Sequence, residues 1–206
     1  VLIPTTAGTG SEVTPIAILT IGQNEKRGVS SAVILPDVAI LDPLLTTSLP
    51  ASITAATGID AMVHAIEGYA SRGANNNPIS KILATQALSL LGANIELAVT
   101  DGTNIKARGA MLLGSMLAGM AFANSPVAAV HALAYPIGGT FHVPHGLSNA
   151  LVLPHVLRFN APAAAQEYVK LAPFIFPNID TNQSSQEVCA EFIERMATLS
   201  ATVGLQ

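Results

Sequence analysis

The chain has no tryptophan, a single cysteine and few charges, with Asp, Glu, Lys and Arg making up only 11% of its 206 residues. One cysteine excludes an internal disulfide framework and fits a reducing compartment. Cys189 sits in EVCAEFIERM, a run with helical periodicity, and reads as core packing. Nine Lys and Arg against thirteen Asp and Glu leave a net charge of −4. Without clustered positive charge there is nothing to meet a phosphate backbone, so nucleic acid is not an expected partner. The opening residues carry no basic segment followed by an apolar run, so no secretory signal is read and a cytoplasmic location is expected. They begin with VLIP, which resembles the middle of a buried strand, and without an initiating Met; a fragment of a longer chain is the expectation.

Charge is scarcest between Gly109 and Leu157, where no Asp, Glu, Lys or Arg occurs. A membrane-spanning helix needs roughly 20 continuous apolar residues. This stretch is interrupted by Asn124, Pro126, Pro136, Gly138, Gly139 and Pro144, and it carries His131, His142, His145 and His155. Several short helices buried in protein are expected instead of a span. Half of all residues are hydrophobic, enough for an extensive core or for surface hidden in a partner.

The pattern divides near residue 47. Before it, VLIP, PIAILTI and VAILD (38–42) predict three short strands separated by Gly, Asn and Pro. Three such strands bury too little surface to stand alone. After it the texture is alanine-rich and helical, with Ser48-Leu49-Pro50 as N-cap and first turn. Turn signals at 73–78, 101–104, 124–126, 136–144, 160–162 and 177–184 predict six or seven helices.

Within GIDAMVHAIEGY, Asp60 and His64 are four residues apart and share a helical face, which Glu67 also approaches. An unpaired carboxylate in so apolar a segment is costly to bury. The pair alone reads more simply as an Asp–His hydrogen bond within a helix. His131 and His145 lie in the charge-free region, where an imidazole must find a strong partner. The Pro and Gly residues between them predict two helices joined by a tight turn, with His145 at a helix start behind Pro144. One carboxylate and three imidazoles suit Fe(II) or Zn(II) and leave a coordination position for a substrate oxygen. No thiolate is present in the set, which argues against a closed structural zinc site. The competing reading is a group of satisfied core histidines.

These segments resemble the iron-containing (group III) alcohol dehydrogenases. The resemblance is carried by PTTAGTGSEVT, LPASITAATGIDAMVHAIEGY, AGMAFAN, VHALAYPIGG and FHVPHGLSNALVLPHVLRFN, in order along nearly the whole chain. It implies a dehydroquinate synthase-like fold: residues 1–47 as the tail of a Rossmann-like α/β cofactor domain, and 48–206 as an all-α metal-binding domain, incomplete at its C-terminus. It implies Asp60, His64, His131 and His145 as the metal ligands, the set the residues themselves suggest. Hydride transfer between an alcohol or aldehyde and NAD or NADP is the implied activity, in a homodimer or higher homo-oligomer.

Read cold, Gly8-Thr9-Gly10 fails the dinucleotide fingerprint because Val13 occupies its third glycine position. Through the resemblance, Thr5, Thr9 and Ser11 contact the cofactor, and Leu45, Thr46 and Leu49 line it. Arg27, beside Lys26, stands where many relatives have a lysine; a solvated turn after GQNEKR is the alternative. Phe122 is expected to wall the substrate pocket. Tyr135 replaces a histidine found in many relatives four residues after the third ligand. A phenol titrates near pH ~10 when unperturbed, so Tyr135 is expected to orient substrate while His142 or water moves the proton. Glycerol dehydrogenase, dehydroquinate synthase and maleylacetate reductase are the neighbouring activities, and a catalytically incomplete metal-binding fragment is the alternative of another class.

Overall fold

The computed structural model describes residues 1–21 and 25–205. The side chain of Lys26 and residues 22–24 of the expected GQNEKR turn lie outside the described residues. Two strands, β1 (Ile16–Ile21) and β2 (Glu25–Ser30), pair antiparallel with Leu19 opposite Arg27. Arg27 therefore stands in a strand rather than a turn.

VLIP and VAILD do not form full strands. Leu2 bridges Ala39 in parallel through Leu2 N–H to Val38 O (2.9 Å) and Ile40 N–H to Leu2 O (3.0 Å). The next rung of a parallel ladder would need an N–H from residue 4, which is Pro4 and has none. The ladder stops after one residue for that reason.

Among the described residues, two 3-10 turns (Ala32–Ile34 and Pro43–Thr46) and then six α-helices follow: α1 (Ala51–Ala70), α2 (Pro78–Thr100), α3 (Ile105–Asn124), α4 (Ala129–Phe141), α5 (His145–Ile175) and α6 (Ser185–Thr202). Their starts have local causes. Asn77 and Ser80 form a reciprocal capping box at α2 with Pro78 in the first turn, and Ser184 and Glu187 do the same at α6. Asn104 caps α3. Ser48 does not cap α1, which begins behind Pro50; Thr54 instead returns its hydroxyl to the Pro50 carbonyl.

Helix α1 is the central element. Nearly every residue from Thr54 to Tyr69 is buried, and α2, α3 and α5 pack around it. Alanine and glycine keep its surface thin enough for three neighbours. Buried Arg108 ties its start to the rest: the guanidinium donates to Thr54 Oγ1 (2.6 Å), Gly102 O (3.0 Å) and Leu49 O (3.3 Å). At the far side, α6 packs on α5 through Tyr168, Phe176 and Phe192, with Cys189 buried beside them as expected of a packing residue.

Two expected breaks are absent. Helix α4 continues through Pro136, Gly138 and Gly139, so the connection to α5 is only residues 142–144; α5 likewise runs through Asn160 and Pro162. An interior proline costs a helix about 3 kcal/mol. Buried residues flank each proline, Ala134 and Gly138 about Pro136 and Leu157 and Tyr168 about Pro162. The charge-free stretch is thus shared among α3, α4 and α5. Among the described helices, α2 has the length and apolar composition of a membrane span, while α3 and α4 meet that test only as a pair bent by 107°.

The loop before β1 rests directly on α3. Gly10 has φ 60° and begins a 3-10 turn (Ser11–Val13). A Cβ on Gly10 would meet the Gly119 Cα at 2.6 Å, and one on Gly119 would meet the Gly10 Cα at 2.8 Å. Gly119→Ala is therefore expected to lower stability by about 1–3 kcal/mol, read from urea unfolding. Gly109→Ala, at a looser site in the same helix, should change it far less.

Candidate metal centre

Three helices and one loop bring the site together. Helix α1 presents Asp60, His64 and Glu67 along one face, all buried. Helix α4 contributes His131 in its first turn, and α5 begins with His145. One ligand atom from each of Asp60, His64 and His131 falls within 4.8 Å of the others. His145 Nε2 lies 3.7 Å from Asp60 Oδ1, close to the 3.6 Å of His131 Nε2. Such separations exceed hydrogen-bond length and approach the ~3.3 Å between ligand atoms that each sit about 2.0–2.1 Å from a shared ion.

The rings are held from behind. His64 Nδ1 meets the Gly8 carbonyl at 3.1 Å, which the absence of a Gly8 side chain allows, since a Cβ there would strike Thr57. His131 Nδ1 meets Glu67 Oε2 at 2.8 Å. His64 stacks on His131 (4.6 Å between centroids) and on Phe122 (4.4 Å), and Tyr135 stacks on His145 (5.6 Å).

Asn149, one turn after His145, completes the cluster. Its amide nitrogen is hydrogen-bonded to Asp60 Oδ1 and lies 3.3 Å from Nε2 of both His131 and His145. Its Oδ1 is buried without a partner. Asp60 Oδ1 and the two Nε2 atoms converge on one point beside the amide nitrogen. A carboxylate and imidazole nitrogens so placed fit a cation.

Charge points the same way. Burial alone would raise the Asp60 pKa, but His64, His131 and His145 outweigh it and hold the carboxyl at about 2. Burial drives His64 down to about 4. Burial also works against charge on His131, yet the Asp60 and Glu67 carboxylates lift it to about 9. Two buried carboxylates thus recruit a proton where no metal is bound. Tyr135 is pushed up, by burial first and then by the Asp60 charge.

A cavity of about 440 Å³ opens on this cluster, lined by Asp60, His64, His131, His145 and Tyr135, by the apolar Ile16, Ile18, Phe122 and Val127, and by Thr9, Ser11 and Thr14. The expected Thr9, Ser11, Phe122 and Tyr135 are brought together with the four ligand candidates. Other expected residues are not. Thr5, Arg27 and Leu45 are exposed away from the cavity lining. Thr46 turns its hydroxyl back to the Pro43 carbonyl, and Leu49 is engaged with Arg108 through its carbonyl. His142 is exposed at the end of α4 in a left-handed conformation, outside the lining. Asn149, the Gly8 carbonyl and the lining residues Thr14, Ile16, Ile18 and Val127 escaped the sequence reading. Asn149 carried a signal, a polar residue four after His145 in a charge-free helix; the Gly8 carbonyl and β1's Ile16 and Ile18 carried none.

Opposite titrations predict the pH profile of the metal-free protein. His64 favours its neutral form, so its contribution is lost as pH falls from about 6.5 in the unfolded chain to about 4. His131 favours its charged form, so its contribution is full below about 6.5 and is lost as pH rises to about 9. Urea midpoints measured in chelator from pH 4 to 9 should peak near pH 6.5 for these two groups. A midpoint climbing steadily to pH 9 contradicts the His131 assignment.

Comparison with known proteins places this geometry. Residues 54–206 match the family model described as Fe-containing alcohol dehydrogenase family, C-terminal, and residues 1–43 match that of iron-containing alcohol dehydrogenase. Long-chain-alcohol dehydrogenase 1 of Geobacillus thermodenitrificans is 46% identical over 100% of this chain and 51% of its own length. The 1,3-propanediol dehydrogenase of Citrobacter freundii is 43% identical over 100% of this chain and 52% of its own. A crystal structure of 1,3-propanediol oxidoreductase superposes with a TM-score of 0.93 at 41% identity, covering 99% of this chain and 53% of that one. The chain spans about half the length of the curated relatives it matches. With its family models covering most of its residues and its fold shared with a solved member, the chain belongs to the iron-containing alcohol dehydrogenase family.

Proposed function

We propose that this chain carries the metal half of an NAD(P)-dependent alcohol dehydrogenase, with Asp60, His64, His131 and His145 holding Fe(II) or Zn(II). The observation that carries this reading is the convergence of one carboxylate and imidazole nitrogens at the floor of an apolar cavity. Bound there, a divalent ion supplies Lewis acidity toward an alcohol oxygen, and a nicotinamide ring supplies the hydride acceptor.

The chain's own residues set the conditions. Asp60, the sole carboxylate of the set, offsets charge while the imidazoles remain neutral donors. Ile16, Ile18, Phe122 and Val127 shed water and receive the carbon chain of an alcohol or aldehyde. Tyr135, beside His145 and disfavoured as phenolate, donates a hydrogen bond that orients the substrate oxygen. Thr9 and Ser11 face the same cavity from the loop packed on α3, which supports their assignment to the nicotinamide side. Residues 1–47 are proposed as the tail of the cofactor domain and 48–206 as the helical domain. Thr5, Arg27, Leu45, Thr46 and Leu49 belong on this reading to cofactor contacts outside the cavity, and His142 to its rim. The whole protein is proposed to be a soluble, cytoplasmic homodimer or larger homo-oligomer.

Two measurements test the reading. Adding Zn(II) or Fe(II) at about 100 times its Kd should stabilise the chain by about 2.7 kcal/mol. In the whole-length protein, Asp60→Ala or His131→Ala should abolish metal content and alcohol-dependent NAD(P) reduction together. Undiminished turnover in a variant without bound metal contradicts the assignment.

A further inference from the structure

Helix α4 begins in an unusual way. Its N-cap, Ala128, has no side chain able to cap, and no cap hydrogen bond comes from it. The first N–H groups of a helix have no partners within it and need others. Here they come from a different helix. Glu67 of α1 accepts from Ala128 N–H through Oε2 (2.9 Å) and from Val130 N–H through Oε1 (2.7 Å). A carboxylate at a helix N-terminus also meets the positive end of its dipole.

The same carboxylate reaches one residue further, to His131 Nδ1 at 2.8 Å, again through Oε2. A carboxylate oxygen only accepts, so Nδ1 must carry a proton. The ring's other nitrogen, Nε2, then points to Asp60 Oδ1, 3.6 Å away. Glu67 lies seven residues after Asp60 and three after His64 on a single buried face. One helix therefore carries two of the ligand candidates and also the clamp on a third.

We propose that Glu67 is a positioning residue of the metal centre: its carboxylate docks the first turn of α4 onto α1 and sets His131 to bind metal through Nε2. This rests on the metal reading given above. A carboxamide cannot replace the carboxylate. Whichever way the side chain turns in a Glu67→Gln variant, its NH2 faces either the Val130 N–H or the Ala128 N–H together with His131 Nδ1. Outer hydrogen-bond partners of this kind are worth about 10–100-fold in metal affinity.

The test uses the full chain, native and Glu67→Gln, with Zn(II) as the probe in chelator-competition titrations. The ring nitrogens of His131 are followed by 15N NMR in the Zn(II)-loaded native protein. The expected results are Nδ1–H with Nε2 coordinated in the native protein, and about 10–100-fold weaker Zn(II) binding in a variant whose circular dichroism is unchanged. A merely structural cap would leave the affinity unmoved. Equal affinity in a folded Glu67→Gln protein overturns the role of Glu67, and so does coordination through Nδ1, which needs no variant to detect. If the native chain binds no Zn(II), the metal reading itself fails, an outcome distinct from either of these.

Discussion

Asp60 and Glu67, buried two turns apart on one face of α1, impose the constraint on which the site depends. A carboxylate taken out of water must be offset by hydrogen bonds or positive charge. Glu67 finds its partners in the first turn of α4 and in the His131 ring; Asp60 finds three imidazoles and the Asn149 amide. Meeting these demands forces α4 and the start of α5 to converge on α1. The packing of the helices and the assembly of the ligand set are therefore one event.

The surroundings follow from how closely α1 can be approached. Small residues let α2, α3 and α5 press against it, leaving its polar face as the floor of a cavity rather than a surface. The Gly10–Gly119 contact lays the N-terminal loop over α3, and the Gly8 carbonyl reaches the back of His64. Thr9 and Ser11 come to the cavity as a consequence of backbone contact. Within the loop, Thr9 Oγ1 accepts from the Ser11 N–H (3.3 Å).

Much of the helical domain could be read from residue pattern. The turn signals at 73–78, 101–104 and 177–184 precede α2, α3 and α6, and the core position of Cys189 and the helix start at His145 follow from local rules, although Ser48 does not cap α1. Local rules failed where long-range packing outweighed them. Pro136 and Pro162 look like helix breaks, yet α4 and α5 run through both, anchored by buried residues on either side: Ala134 and Gly138 about Pro136, Leu157 and Tyr168 about Pro162. VAILD looks like a strand, yet Pro4 denies its partner the next hydrogen bond.

For the site, spacing alone determined that Asp60, His64 and Glu67 share a face, because helical geometry makes neighbours of residues four and seven apart. The need of buried imidazoles for partners singled out His131 and His145. That His131 and His145 stand over this face, that Glu67 is shared between a helix start and an imidazole, and that Asn149 closes the cluster were decided by tertiary structure. So was the exclusion of His142 from the cavity, since its left-handed backbone at the end of α4 turns it to solvent. Sequence periodicity reaches only along one helix; the contacts that make a centre of four separated residues are set by how helices cross.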